Sequence, residues 1–263
     1  LLATATIGAS ASFIEAQAQA QTNRFYRAAY TTGAVNSASI AAAVAQGDVS
    51  ENIVGFFGLN VPAGYSLVAN PLVQDLDSTM PGIISTVPEG LRLYRFNTGS
   101  ETVTTPTQSR KIGAWSTSSP PGANSQTSSN GWTVNTSLGG QWSNPADLPL
   151  PGEGVFLHNP TDRAVRLTFA GELLPTGSTV LLPQGFSVRG SCVPVGGRLD
   201  TALGLPVSFN DRIYRYDNVA KNYVIHFYGS RGWAPSAPTV NAGEAFFLFK
   251  WTATNWVVNL PVK

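Results

Sequence analysis

The chain has 263 residues, of which 12% are charged, with a formal net charge of +1 and only four lysines. That is about half the ~25% charge usual for soluble globular chains, and it leaves no basic field to hold nucleic acid. A single cysteine and two histidines exclude an internal disulfide, a cysteine-based zinc site and a CxxC redox pair, and 43% hydrophobic content excludes disorder of the bulk.

Leu1 to Ala20 reads LLATATIGASASFIEAQAQA, a short apolar stretch followed by Ala-x-Ala steps at Ala16-Gln17-Ala18 and Ala18-Gln19-Ala20. This is the pattern of the core and cleavage region of a secretory signal, so export is expected; if retained, 1–20 is expected to act as an assembly segment. No run of ~18 apolar residues occurs, so no membrane-spanning helix is predicted. An N-terminal arm over 21–52 follows. Within it, SASIAAAVAQ predicts a short helix over 37–46, capped by Asn36 or Ser37 and stopped by Gly47. Its apolar face is weak, so it must dock on something larger to persist.

From Ile53 onward the sequence repeats itself. Val61-Pro62-Ala63-Gly64-Tyr65-Ser66-Leu67-Val68 returns as Leu182-Pro183-Gln184-Gly185-Phe186-Ser187-Val188-Arg189, 121 residues later (61 to 182). Leu93-Tyr94-Arg95-Phe96 returns as Ile213-Tyr214-Arg215-Tyr216 at an offset of 120 (93 to 213). Trp142 matches Trp233, and Pro151-Gly152-Glu153-Gly154-Val155-Phe156-Leu157 matches Ala242-Gly243-Glu244-Ala245-Phe246-Phe247-Leu248, both at 91 (142 to 233, 151 to 242). The reading is therefore a first β repeat over 53–172, carrying an insertion over about 98–140, and a second over 173–263. The insertion, rich in Ser, Thr, Gly and Asn, is expected to be a surface loop or an extra hairpin.

Each copy consists of short Val, Leu, Phe and Tyr runs punctuated by Pro-Gly, Asn-Pro and Gly-Gly, from Ile53 to Val61 through to Trp256 to Leu260. The expected fold is all-β: two tandem β-sandwich-like repeats with a short α-helical or extended N-terminal segment. Alternation puts Arg92, Tyr94 and Phe96 on one strand face and Leu91, Leu93 and Arg95 on the other, with Arg212, Tyr214 and Tyr216 repeating the first. The repeated Gly-Glu steps predict that Glu153 and Glu244 lock turns by accepting backbone amides or by pairing with Arg95 and Arg215.

Catalytic chemistry finds no support. No nucleophile elbow, P-loop, HExxH or dinucleotide fingerprint is present, and Asp75 and Asp77 lack the Gly and Glu of a calcium loop. His158 has no histidine counterpart, since Phe249 stands in its place, and no carboxylate pair is singled out for glycoside hydrolysis. No catalytic residue, cofactor or metal is expected.

The landmarks VPAGYSLVANPL (Val61–Leu72), Leu93–Phe96, Trp142 and Pro151–Leu173 resemble those of a family of secreted, largely uncharacterised bacterial β-rich proteins. Across Ile53 to Lys263 the resemblance implies export and a β fold, and it implies no catalytic residues. The leading expectation is an extracellular structural protein, a filament or surface-layer subunit, whose partners are copies of itself. Few lysines stand guard at strand edges, where charge normally prevents pairing between molecules, and the N-terminal segment is expected to add to a neighbouring subunit. The alternative is a carbohydrate- or surface-binding module, with polysaccharide stacked on Trp115, Trp132, Trp142 or Trp233; the same four rings are candidate assembly contacts.

Overall fold

Alternating apolar residues punctuated by Gly and Pro build a chain of short strands, and the computed structural model shows how they pair. It describes residues 23–26, 37–47, 53–73, 89–96, 101–104, 109–112, 127–128, 132–139, 141–143, 149–257 and 259. The signal-like stretch 1–20 and Trp115 lie outside the described residues. The expected helix is present as α1 (Ser37–Gln46), and Gly47 follows it.

The strands of the first half are β1 (Asn23–Tyr26), β2 (Val54–Val61), β3 (Gly64–Ala69), β4 (Leu72–Val73), β5 (Arg92–Phe96), β6 (Glu101–Thr104), β7 (Ser109–Ile112), β8 (Thr127–Ser128), β9 (Trp132–Leu138), β10 (Gln141–Trp142), β11 (Gly154–Asn159) and β12 (Val165–Leu173). Those of the second are β13 (Thr179–Leu182), β14 (Gly185–Gly190), β15 (Gly197–Arg198), β16 (Arg212–Asp217), β17 (Asn222–Gly229), β18 (Gly232–Ala234), β19 (Thr239–Val240), β20 (Ala245–Lys250) and β21 (Thr254–Val257). Apart from α1, the elements among the described residues are all β-strands.

One sheet of the first half runs β10-β9-β5-β11-β3, and one of the second runs β18-β17-β16-β20-β14. The order is the same, strand for strand, and the pairing is antiparallel throughout. Registers agree as well: Trp142 stands opposite Ser137 as Trp233 stands opposite Tyr228. The first sheet covers β1-β2-β12-β4 and the second covers β21-β13-β6-β7. Between each pair of sheets lies an apolar core. Phe57, Leu93, Leu157, Leu167 and Phe169 fill the first, and Val180, Leu182, Ile213, Phe246, Leu248 and Trp256 fill the second. Each such side chain is worth about 1.5–3 kcal/mol when fully buried. The halves divide between Leu173, which pairs with Leu72, and Leu174, which enters the second core.

Two expectations need correction. The inserted stretch is narrower than 98–140, because β9 and β10 are ordinary members of the first sheet, equivalent to β17 and β18. The extra residues lie between Phe96 and Trp132. The extra hairpin, one of the two expectations for this stretch, is present as β6–β7, and β6 pairs with β13, so a piece of the first half completes a sheet of the second. The last strand starts at Thr254, two residues before the expected Trp256, because Thr254 to Val257 pair with β13.

Candidate assembly surfaces

Where the halves meet, each offers the other the same turn. Ala69 N–H donates to Gly243 O at 2.9 Å, and its equivalent, Gly190 N–H, donates to Gly152 O at 3.2 Å. Val68 bridges Glu244 as Arg189 bridges Glu153. The two turn glycines have φ of +83° and +73°, a left-handed backbone that side chains resist. They are also tightly enclosed. A Cβ on Gly152 would meet Cys192 Sγ at 2.8 Å in the second core, and one on Gly243 would meet Phe57 Cε1 at 2.6 Å in the first. A third apolar cluster, Leu67, Ala69, Val188 and Ala245, closes the junction, with Phe96, Phe156, Tyr216 and Phe247 packed against it. Its ring contacts are reciprocal too: Phe96 on Phe247 at 5.8 Å, and Phe156 on Tyr216 at 5.4 Å.

The Gly-Glu steps hold these turns. Glu153 Oε1 lies 2.8 Å from Arg95 Nε, both side chains being 7% exposed, and Glu153 Oε2 accepts Leu150 N–H at 3.0 Å. Glu244 Oε1 accepts Arg215 Nη2–H at 2.6 Å and Nε–H at 2.9 Å, while its Oε2 accepts Asn241 N–H at 2.9 Å. In each carboxylate one oxygen holds a backbone amide of the turn and the other holds a strand arginine. Among the described residues no group of three His, Cys, Asp or Glu is placed to hold a metal.

The outer faces of the two sheets carry rings, as the alternation in β5 and β16 requires. On the first, Tyr65 lies 4.5 Å from His158, 5.9 Å from Tyr94 and 6.3 Å from Phe156. On the second, Phe186 lies 4.9 Å from Phe249 and 5.8 Å from Tyr214, and Arg212 stands over Phe227 at 6.0 Å and Phe249 at 5.8 Å. Tyr65, Phe186 and Trp251 are exposed. Burial, then the charge of Arg92, hold the His158 ring below its ordinary pKa, so it is neutral at physiological pH. Tyr65 and His158 of the first face thus stand where Phe186 and Phe249 stand on the second.

The tryptophans fall elsewhere. Trp142 is 2% exposed in the first core and offers no ring face to a ligand, which corrects the expectation of an exposed platform there. Trp233 packs against the second core, with Nε1–H donating to Asp200 Oδ2 at 2.9 Å. Its indole occupies the place of Trp142, which is why the sequence repeats the residue. Trp132 belongs to β9, and its side chain lies outside the described residues. Sequence reasoning missed the exposed rings, although the paired Tyr65 and Phe186 in the first repeat landmark were the available signal.

Two strand edges complete the surface. β1 lies along the outer edge of β2, with Arg24 opposite Phe56 and Phe25 opposite Gly55. The approach at Gly55 is close, since a Cβ there would fall 2.1 Å from Arg24 O, and Phe25 packs against the first core. On the second half, β17 lies between β16 and the short β18, and its Tyr223, Val224 and Ile225 are exposed. Compared with protein-family models, curated proteins and solved structures, the chain matches none.

Proposed function

We propose that the chain is an extracellular structural protein that polymerises with copies of itself, partly through its N-terminal segment. The observation that supports this reading is β1, a short added strand on the edge of β2, separated from it in sequence by residues 27–53. Every copy carries the same β2 edge, so the strand that closes it within one chain closes it equally well in the next. Exchange of an identical element between protomers is a low-cost route to assembly, and a head-to-tail exchange that does not close grows a filament. The low charge and the four lysines leave little repulsion between copies. The signal-like 1–20 supports an exported location.

Removing residues 1–50, which takes away β1 and α1, is expected to abolish polymers seen by negative-stain imaging while both cores remain. Polymers of unchanged length from that truncation overturn the reading. The exposed rings of Tyr65, Phe186 and Trp251 favour a second reading, carbohydrate or surface binding. Retention on immobilised glycans that Phe186→Ala and Trp251→Ala both abolish would move the assignment to it.

A further inference from the structure

We propose that β17 is an isologous docking edge, at which two copies of this chain join their five-stranded sheets antiparallel across a two-fold axis at Val224. The inference deepens the self-assembly reading, and it uses an edge on the opposite half from β1.

The direction of the backbone groups in β17 follows from one residue. Tyr228 faces β16, since its N–H donates to Asp211 O at 2.9 Å and its C=O accepts Asn210 N–H at 2.9 Å. Alternation along a strand then turns the groups of Val224 and His226 toward β16, and those of Tyr223, Ile225 and Phe227 away from it. Phe227 meets Ala234 of β18, and β18 reaches no further along the strand. Among the described residues no strand pairs with the outward groups of Tyr223 and Ile225. The side chains around them are apolar and open, at 42% for Tyr223, 42% for Val224 and 50% for Ile225.

The first half shows what covers such an edge. There the equivalent positions, Trp132 and Thr133, pair antiparallel with Ser128 and Thr127 of β8, part of the inserted stretch. The second half has only the turn 218–221 between β16 and β17, and among the described residues no other strand covers this edge. None of the usual guards is in place either: Asn222 to His226 contain no Lys, Glu, Asp or Pro.

The open window is self-complementary. Its exposed residues run from Asn222 to Ile225, and buried His226, with Nδ1 2.8 Å from Ser236 O, closes its far end. Val224 lies midway between Tyr223 and Ile225, the two residues whose backbone groups point outward. A two-fold axis there sets Tyr223 opposite Ile225 of the second copy, and these are the two residues whose N–H and C=O point outward. They form two hydrogen-bonded pairs, each exchanging both bonds, and each joins an aromatic to a β-branched side chain, a favourable cross-strand combination. Val224 meets Val224 and Asn222 meets His226. Lys221 falls opposite Phe227 rather than its own counterpart, so no like charges face each other. A second copy therefore fits the edge by charge and by register together.

Cysteine scanning of the full chain tests this. Val224 would face its counterpart as a non-hydrogen-bonded pair with Cα atoms about 4.5 Å apart, inside the ~4.4–6.8 Å range that a disulfide spans. The one native thiol, Cys192, is buried and its pKa is pushed up to about 12, so it stays silent. Under mild oxidation Val224→Cys is expected to give covalent dimers. A mixture of Tyr223→Cys and Ile225→Cys chains is expected to cross-link too, and either one alone several times less. Ile225→Pro, which removes an outward N–H and leaves the β16 ladder intact, is expected to abolish dimers at this edge. Equal cross-linking of all three single cysteines, or none at Val224→Cys, overturns the proposal. If the N-terminal reading alone fails, Val224→Cys still yields dimers and nothing longer. If β17 alone fails, polymers persist without cross-links.

Discussion

Lys250→Met is expected to lower stability by about 3–5 kcal/mol, the cost of stranding a buried charge. Lys250 and Asp211 are both 0% exposed and form an ion pair. Lys250 Nζ also donates to Pro206 O at 3.0 Å, and the carboxylate accepts Ser208 N–H at 2.7 Å and Trp251 N–H at 3.1 Å. Every partner of the pair is internal, so removing the ammonium leaves a carboxylate with no water to replace it. For a chain of this size the loss corresponds to roughly 6–20 °C in thermal midpoint. Lys250→Met with Asp211→Asn removes the charge and keeps an acceptor for a backbone N–H, so most of the loss is expected to return. The first half already shows a neutral solution: Asn159 stands in the place of Lys250 and donates to Val61 O at 3.1 Å and Arg163 O at 2.7 Å. A single variant within ~1 kcal/mol of the parent in denaturant titration would mean that water reaches the pair.

Gly190→Ala is expected to be destabilising by about 1–3 kcal/mol, as overpacking of a closed junction usually is. The added Cβ would sit 2.1 Å from Ala69 Cβ. Ala69 and Gly190 hold equivalent places in the two sheets and face each other where the halves meet, so the space between them takes one methyl group. It has no preference for the side from which that methyl comes. The swap Ala69→Gly with Gly190→Ala is therefore expected to regain most of the stability, a coupling that touching residues show and distant ones do not. A swap as unstable as the sum of its parts would contradict reciprocal packing at the junction.

Much of the backbone plan is legible because it is local. The Pro-x-Gly turns, the alternation of Arg and aromatic residues in β5 and β16, and the small-residue helix 37–46 each follow from a few neighbouring residues. The Gly-Glu steps even predict their own ion pairs, Arg95 with Glu153 and Arg215 with Glu244. What they do not reveal is the direction of packing. Gly152 presses on Val180 and Cys192, and Gly243 presses on Phe57 and Leu59, contacts that join distant parts of the sequence across the junction. β9 escaped notice for a compositional reason: WTVNTSL looks like the polar insertion around it, yet Asn135 and Ser137 are buried. Nothing in AFFLFK foretells that Lys250 is buried, because its partner Asp211 is brought to it from a distant part of the sequence. The exposed surface is least legible of all. Trp142 and Trp233 draw the eye, but the first fills a core and the second packs against one, whereas the exposed edge of β17 is marked only by what it lacks, a charge or a proline.

The proposed association with further copies rests on two edges: β2, where β1 is laid, and β17. Sedimentation velocity of the intact chain across a wide concentration range tests this most directly. The account predicts species growing well beyond the 27.8 kDa of one chain as concentration rises. A single boundary at that mass at every concentration would contradict it.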